Sequence, residues 1–160
     1  MYPIHFSLLL HLVGMGLLFT AIFGGLILHI QYRRTSDWPA KLVLLRSLRR
    51  IGLLSPLGVI IMISSGVGNM TLGPNRYTLF SDGWLSMKLM VFAAMVLAGI
   101  YFGIQGARRT RIAVRLADGS SSEHDHPALK ALDTQQVTAF LTQLVLMIGI
   151  LWLSIVRPHA

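Results

Sequence analysis

Of the 160 residues, 54% are hydrophobic, only 12% are charged, and none is cysteine. That balance argues against a soluble domain of this size, and the missing thiols exclude disulfides, iron–sulfur clusters and thiol chemistry. The formal net charge of +8 is concentrated in particular loops, so it reads as a membrane-orientation signal and no nucleic-acid partner is expected.

Four apolar stretches, at about 4–30, 51–70, 84–105 and 136–156, each reach the ~20 residues needed to cross ~30 Å of hydrocarbon. Hydrocarbon cannot solvate backbone polar groups, so each stretch must be helical. The expected fold is all-α: one integral-membrane domain of four transmembrane helices in an up-down bundle. Arg33, Arg34, Lys41, Arg46, Arg49 and Arg50 lie between the first two stretches, and Arg108, Arg109, Arg111, Arg115 and Lys130 between the last two. Only Arg76 and Arg157 fall on the opposite side. The asymmetry predicts both termini outside and the basic loops in the cytoplasm, across a bacterial inner membrane whose lipids are the first partner. The amino terminus has no basic leader and no small-residue cleavage site, so helix 1 is expected to remain as an anchor.

Helix 1 carries His11 about a third of the way in from the outer side. At 100° per residue, His11, Met15, Leu18, Ile22, Gly25 and His29 form one stripe. The two histidines are five turns apart, about 27 Å along the axis. A histidine in hydrocarbon faces the bundle or a cofactor; for His11 both a helix-knitting hydrogen bond and a ligand role stay open. His29 is expected at the inner interface beside Arg33 and Arg34. Two histidines on one face resemble the pattern of membrane b-type cytochromes. Helices 2, 3 and 4 hold none, so a haem would need another ligand or a second histidine across a dimer.

The first basic loop ends in Arg46, Arg49 and Arg50, which share a helical face opposite leucines. That suits a short interfacial helix or a cytoplasmic start of helix 2. Helix 2 places Met62, Ser65 and Asn69 on one face, with Asn69 near the level of His11; Ser and Asn commonly serve as interhelical glue. A Gly-Pro-Asn turn follows, and its Arg76 is either an exposed anchor or a clamp for a propionate or acidic substrate.

Helix 3 opens on Gly83 and Trp84 and carries Lys88 one turn in, on a face shared with Phe92, Met95, Gly99 and Gly103. Gly99 and Gly103 make a GxxxG pattern that permits close helix contact. Lys88 either looks inward, where it could donate or accept a proton or pair with a propionate, or snorkels to the headgroups. The loop at 117–123 is expected to be a polar, mobile linker, and His124-Asp125-His126 a solvated segment without a third metal ligand. In helix 4, Thr142 and Gln143 suit packing hydrogen bonds. The eight methionines offer soft sulfur but are ordinary apolar filler.

Helix 1 with its outer histidine, running into Phe23-Gly24-Gly25-Leu26, combines with Gly83-Trp84-Leu85-Ser86-Met87-Lys88-Leu89 opening helix 3. This combination resembles the small bacterial four-helix proteins around the HemJ-type protoporphyrinogen oxidases and the CopD-type copper-resistance membrane domains. The resemblance implies haem b bound through His11, which would be the metal ligand, with Lys88 as the catalytic group. Arg76 and Asn69 are further candidates for cofactor binding. No Pro-Arg pair of the HemJ type occurs in helix 1. Two functions follow: a haem-binding redox protein linked to a porphyrinogen or quinol, or a non-enzymatic accessory subunit or small copper or ion transporter using His5, His11 and nearby methionines. The GxxxG pattern and the missing second histidine make a homodimer or larger membrane complex the expected assembly.

Overall fold

Each apolar run is long enough to propagate a helix without tertiary help, and the charged residues flanking it are themselves good helix formers. The computed structural model, which describes residues 3–72, 83–120 and 122–156, is accordingly helical throughout, with no strand among the described residues. The elements are α1 (Pro3–Arg34), α2 (Trp38–Gly52), α3 (Leu54–Leu72), α4 (Gly83–Ala117) and α5 (Asp125–Ile155). Four helices, counting α2 and α3 as one near-continuous rod, are long and apolar enough to cross a membrane.

Helix ends depart most from expectation between helices 3 and 4. α4 continues from Gln105 to Ala117, and α5 begins at Asp125, well before Gln136. Arg, Ala, Leu and Ile dominate the added turns, so helical propensity persists where hydropathy falls. α4 stops where Gly119 adopts a positive φ of 71°. The Ser120 N–H then reaches the Arg115 carbonyl at 3.1 Å and the Asp118 N–H the Val114 carbonyl at 3.0 Å, satisfying carbonyls the helix would leave orphaned.

α2 is a distinct short helix. Asp37 caps it, accepting from the Ala40 N–H at 3.0 Å, with Pro39 in the first turn. It ends because Pro56 can offer no N–H to the Gly52 carbonyl and its ring crowds that oxygen. Asp37→Ala should cost about 1 kcal/mol of local helix stability, read as faster hydrogen exchange at the Ala40 amide with the spanning helices unaffected.

The helices pair antiparallel. α1 lies on α3, with Gly14 against Gly58. α4 lies on α5, where Gln143 Nε2 donates to the Met95 carbonyl at 2.9 Å. One core, built on Leu18, Ile22, Met62, Met95, Met147 and Ile150, joins the two hairpins at mid-length. A second core of Tyr32, Leu45, Ala113 and Leu129 gathers the last turns of α1, α2, the end of α4 and the start of α5. This second core marks what is called below the basic end.

The GxxxG expectation for α4 is not met within the chain. A Cβ added at Gly103 would find no heavy atom within 4 Å among the described residues, and one at Gly99 would meet only Gln143 Nε2 at 3.4 Å. Close helix approach occurs instead at Gly14 and Gly58, at Gly68 beside Ser7, and at Gly25 beneath Phe140.

Candidate functional site

The histidine stripe of α1 points inward over its whole length. His11 and Met15 are half-buried, while Leu18, Ile22, Gly25 and His29 are buried. The stripe thus links two polar clusters, one at each end of the bundle.

The first cluster surrounds His11. Its Nδ1 lies 3.0 Å from Ser65 Oγ. The Ser65 hydroxyl has a single hydrogen, and its shortest acceptor contact is the Ile61 carbonyl at 2.6 Å. With the hydroxyl hydrogen on that carbonyl, Ser65 Oγ accepts from His11 Nδ1–H and the lone pair lies on Nε2. Ser7 completes the arrangement by donating to the Ser65 carbonyl at 2.9 Å. The α1–α3 contact fixes both the ring's orientation and its tautomer, as the outer partner of a ligating histidine does in metal sites.

Lys88, half-buried in the second turn of α4, lies close enough for its charge to act on the His11 ring. The two groups expected to share one level thus lie at the same end of the bundle. Asn69 is also at this end of α3, and its Oδ1 is buried with no hydrogen-bond partner among the described residues. Arg76 lies outside the described residues. His5 is exposed.

Inside the bundle, the space bounded by Met15, Met62, Met95 and Met147 is about 20 Å³. That is room for a water molecule or an ion and not for a porphyrin. No group of three or more His, Cys, Asp or Glu side chains is gathered for a metal among the described residues.

His124-Asp125-His126 requires a correction. The two histidines are exposed, but Asp125 is buried at the start of α5. It accepts from Arg115 Nη2 at 2.6 Å and from the Ser122 N–H at 3.0 Å. The segment is a clasp joining α4 to α5.

The second cluster is at the basic end, and His29 requires the larger correction. Expected among headgroups, it is 0% exposed. Its ring packs 6.2 Å from that of Tyr32 and 6.1 Å from that of Phe140, centroid to centroid. The physical reason is the extension of α4 and α5 beyond their apolar runs, which walls in the last turns of α1. Those same turns bring in Arg109, 2% exposed. Its Nε donates to Asp133 Oδ1 at 2.6 Å, and its guanidinium lies 4.2 Å from the Tyr32 ring centroid. Lys41 of α2 sits over the same ring at 5.6 Å and over Trp38 at 4.8 Å.

Arg109 appears in the sequence as one more positive-inside residue, and Asp133 as part of a loop. A usable signal existed nonetheless. Acidic residues number only six, and Asp133 stands just before an apolar span, on the face that Gln136 and Phe140 continue. A scarce carboxylate there is a request for a buried cation.

Compared with known proteins, the chain matches no family model, no curated protein and no solved structure.

Proposed function

We propose that this is a multi-pass protein of the bacterial inner membrane, its basic end cytoplasmic, that carries haem b on His11 Nε2 and serves porphyrinogen- or quinol-linked electron transfer. The observation that carries the reading is the Ser65–His11 hydrogen bond, which leaves Nε2 as a fixed lone pair beside Lys88. The distribution of arginines and lysines between the two ends supports the orientation.

His11 fits the role of an axial ligand; the bundle interior does not fit a macrocycle, since about 20 Å³ is available between the methionines. Haem would therefore lie on the flank of the bundle where His11 is half-exposed. Haem, when bound, supplies one-electron redox chemistry whose potential follows axial ligation and burial. This chain's part is to hold the ligand nitrogen through Ser65, to keep an ammonium at Lys88 for a propionate or a transferred proton, and to leave Asn69 Oδ1 as an acceptor nearby.

An absorption spectrum of the purified protein tests this directly. A Soret band with a sharp reduced α-band is expected, abolished by His11→Ala and retained by His29→Phe. Ser65→Ala should retain the pigment but shift its reduction potential, because the ligand loses its orienting partner. Lys88→Met should keep the pigment and slow turnover. The reverse pattern for His11 and His29 would sink the assignment.

A second reading, a copper or ion transporter or accessory subunit, has one observation in its favour. Met15, Met62, Met95 and Met147 come one from each of α1, α3, α4 and α5 and border a cavity of ionic size. Protein that is colourless as purified but carries stoichiometric copper would decide for it.

A further inference from the structure

The basic-end cluster holds an imbalance that the His11 site does not explain. By strict hydrogen-bond geometry four buried polar atoms there have no partner among the described residues: Nδ1 and Nε2 of His29, Oη of Tyr32 and Nη2 of Arg109, although His29 lies against the Asp133 backbone and Tyr32 against the Arg109 side chain. They belong to side chains 0%, 1% and 2% exposed. Leaving one such atom unpaired in a dry interior costs about 1–3 kcal/mol, and several gathered in one place call for an explanation such as a bound water or ion.

The unfilled capacity is mainly donor capacity. Arg109 Nη2 carries two N–H groups, Tyr32 one O–H and a neutral His29 one N–H. The one carboxylate at the site, Asp133, is engaged by Arg109 Nε through Oδ1, and its side chain is partly exposed to solvent. Charge points the same way. The groups that face the cluster from its four surrounding elements are Arg33 of α1, Lys41 of α2, Arg109 of α4 and Asp133 of α5. Three cations against one anion leave the site formally positive, in surroundings where Phe140 and Tyr32 exclude water and weaken screening.

We propose that His29, Tyr32 and Arg109 form a receptor for one small inorganic anion of halide size, drawn from the aqueous side of the basic end. A single acceptor with negative charge satisfies the guanidinium, phenol and imidazole donors together and offsets the excess positive charge. The four atoms are buried in this structure, so an ion enters only when the surrounding side chains move. Lys41 and Arg109 both hold the Tyr32 ring through its π-face. A cleft of about 410 Å³ bounded by Trp38, Leu42, Arg46 and Asp118 opens on the same end of the bundle, sharing Trp38 with the Lys41 contact.

The test uses the purified full chain in detergent with bromide as probe. Sodium bromide replaces sodium gluconate at constant ionic strength, and the thermal unfolding midpoint is followed. Wild-type protein should show a saturable, single-site rise in midpoint. Tyr32→Phe keeps the ring that the two cations cover and removes one donor; His29→Phe keeps an aromatic of similar shape. Each should fold and weaken bromide at least tenfold. Anomalous scattering from a bromide-grown crystal should place one ion within 3.5 Å of Arg109 Nη2 and Tyr32 Oη, a range set by ordinary donor–acceptor contact lengths. Equal midpoints in bromide and gluconate, or an unchanged bromide response in both variants, would overturn the proposal and leave the cluster to water.

Discussion

Asp133→Leu should be among the most destabilising single changes in this protein, at about 3–5 kcal/mol. The carboxylate is the ion-pair partner of Arg109, whose side chain is 3% exposed against 21% for Asp133. Removing it strands a guanidinium that can neither lose its proton nor reach water. Arg109→Met should cost less, because Asp133 retains some access to solvent. The double variant, with both charges gone and the volume roughly kept, should return close to wild type, since apolar replacement of a buried ion pair is often neutral. Denaturant unfolding in detergent would order the variants. An Asp133→Leu protein as stable as wild type would mean that Arg109 is hydrated, since exposed pairs contribute only about 0–1 kcal/mol.

That pair also shows where sequence reasoning reached its limit. Hydropathy locates the hydrocarbon-crossing part of each helix, because transfer free energy depends on composition alone. The four long apolar helices follow from it, and the 100° helical spacing puts His11 through His29 on one stripe. Hydropathy is blind to helix that continues past the hydrocarbon, since Arg109, Ile112, Ala113 and Leu116 propagate α4 as readily as an apolar run does. The predicted loop between helices 3 and 4 was for that reason far too long, and the buried end it builds around His29 went unseen. The neighbourhood of His11 and Lys88 was legible, because depth in a helix follows from residue number. The Ser65 hydrogen bond was not, because the rotation of α3 about its axis is set by packing at Gly14 and Gly58.

Those two glycines give the other large effect. A Cβ at Gly58 would stand 3.0 Å from the Gly14 carbonyl oxygen and 3.0 Å from Leu18 Cγ; one at Gly14 would meet Ile61, Met62 and the Gly58 carbonyl at 3.0–3.1 Å. A backbone oxygen cannot rotate aside, so α1 and α3 must separate along the length that holds His11 against Ser65. Alanine at either site gains about 1 kcal/mol in helix propensity over glycine, against about 1–3 kcal/mol for overpacking, so Gly58→Ala should be mildly destabilising. Gly58→Val adds two further methyl groups at the same spot and should be much worse, with loss of any pigment on His11 as well as of stability. Gly103→Ala is the matched control, since its Cβ meets nothing within 4 Å among the described residues; it should be neutral or slightly stabilising. Should Gly103→Ala instead prove as damaging as Gly58→Val, the glycine face of α4 packs on a neighbour outside the chain. A homodimer through Gly99 and Gly103 would then be the assembly to seek by crosslinking in the membrane.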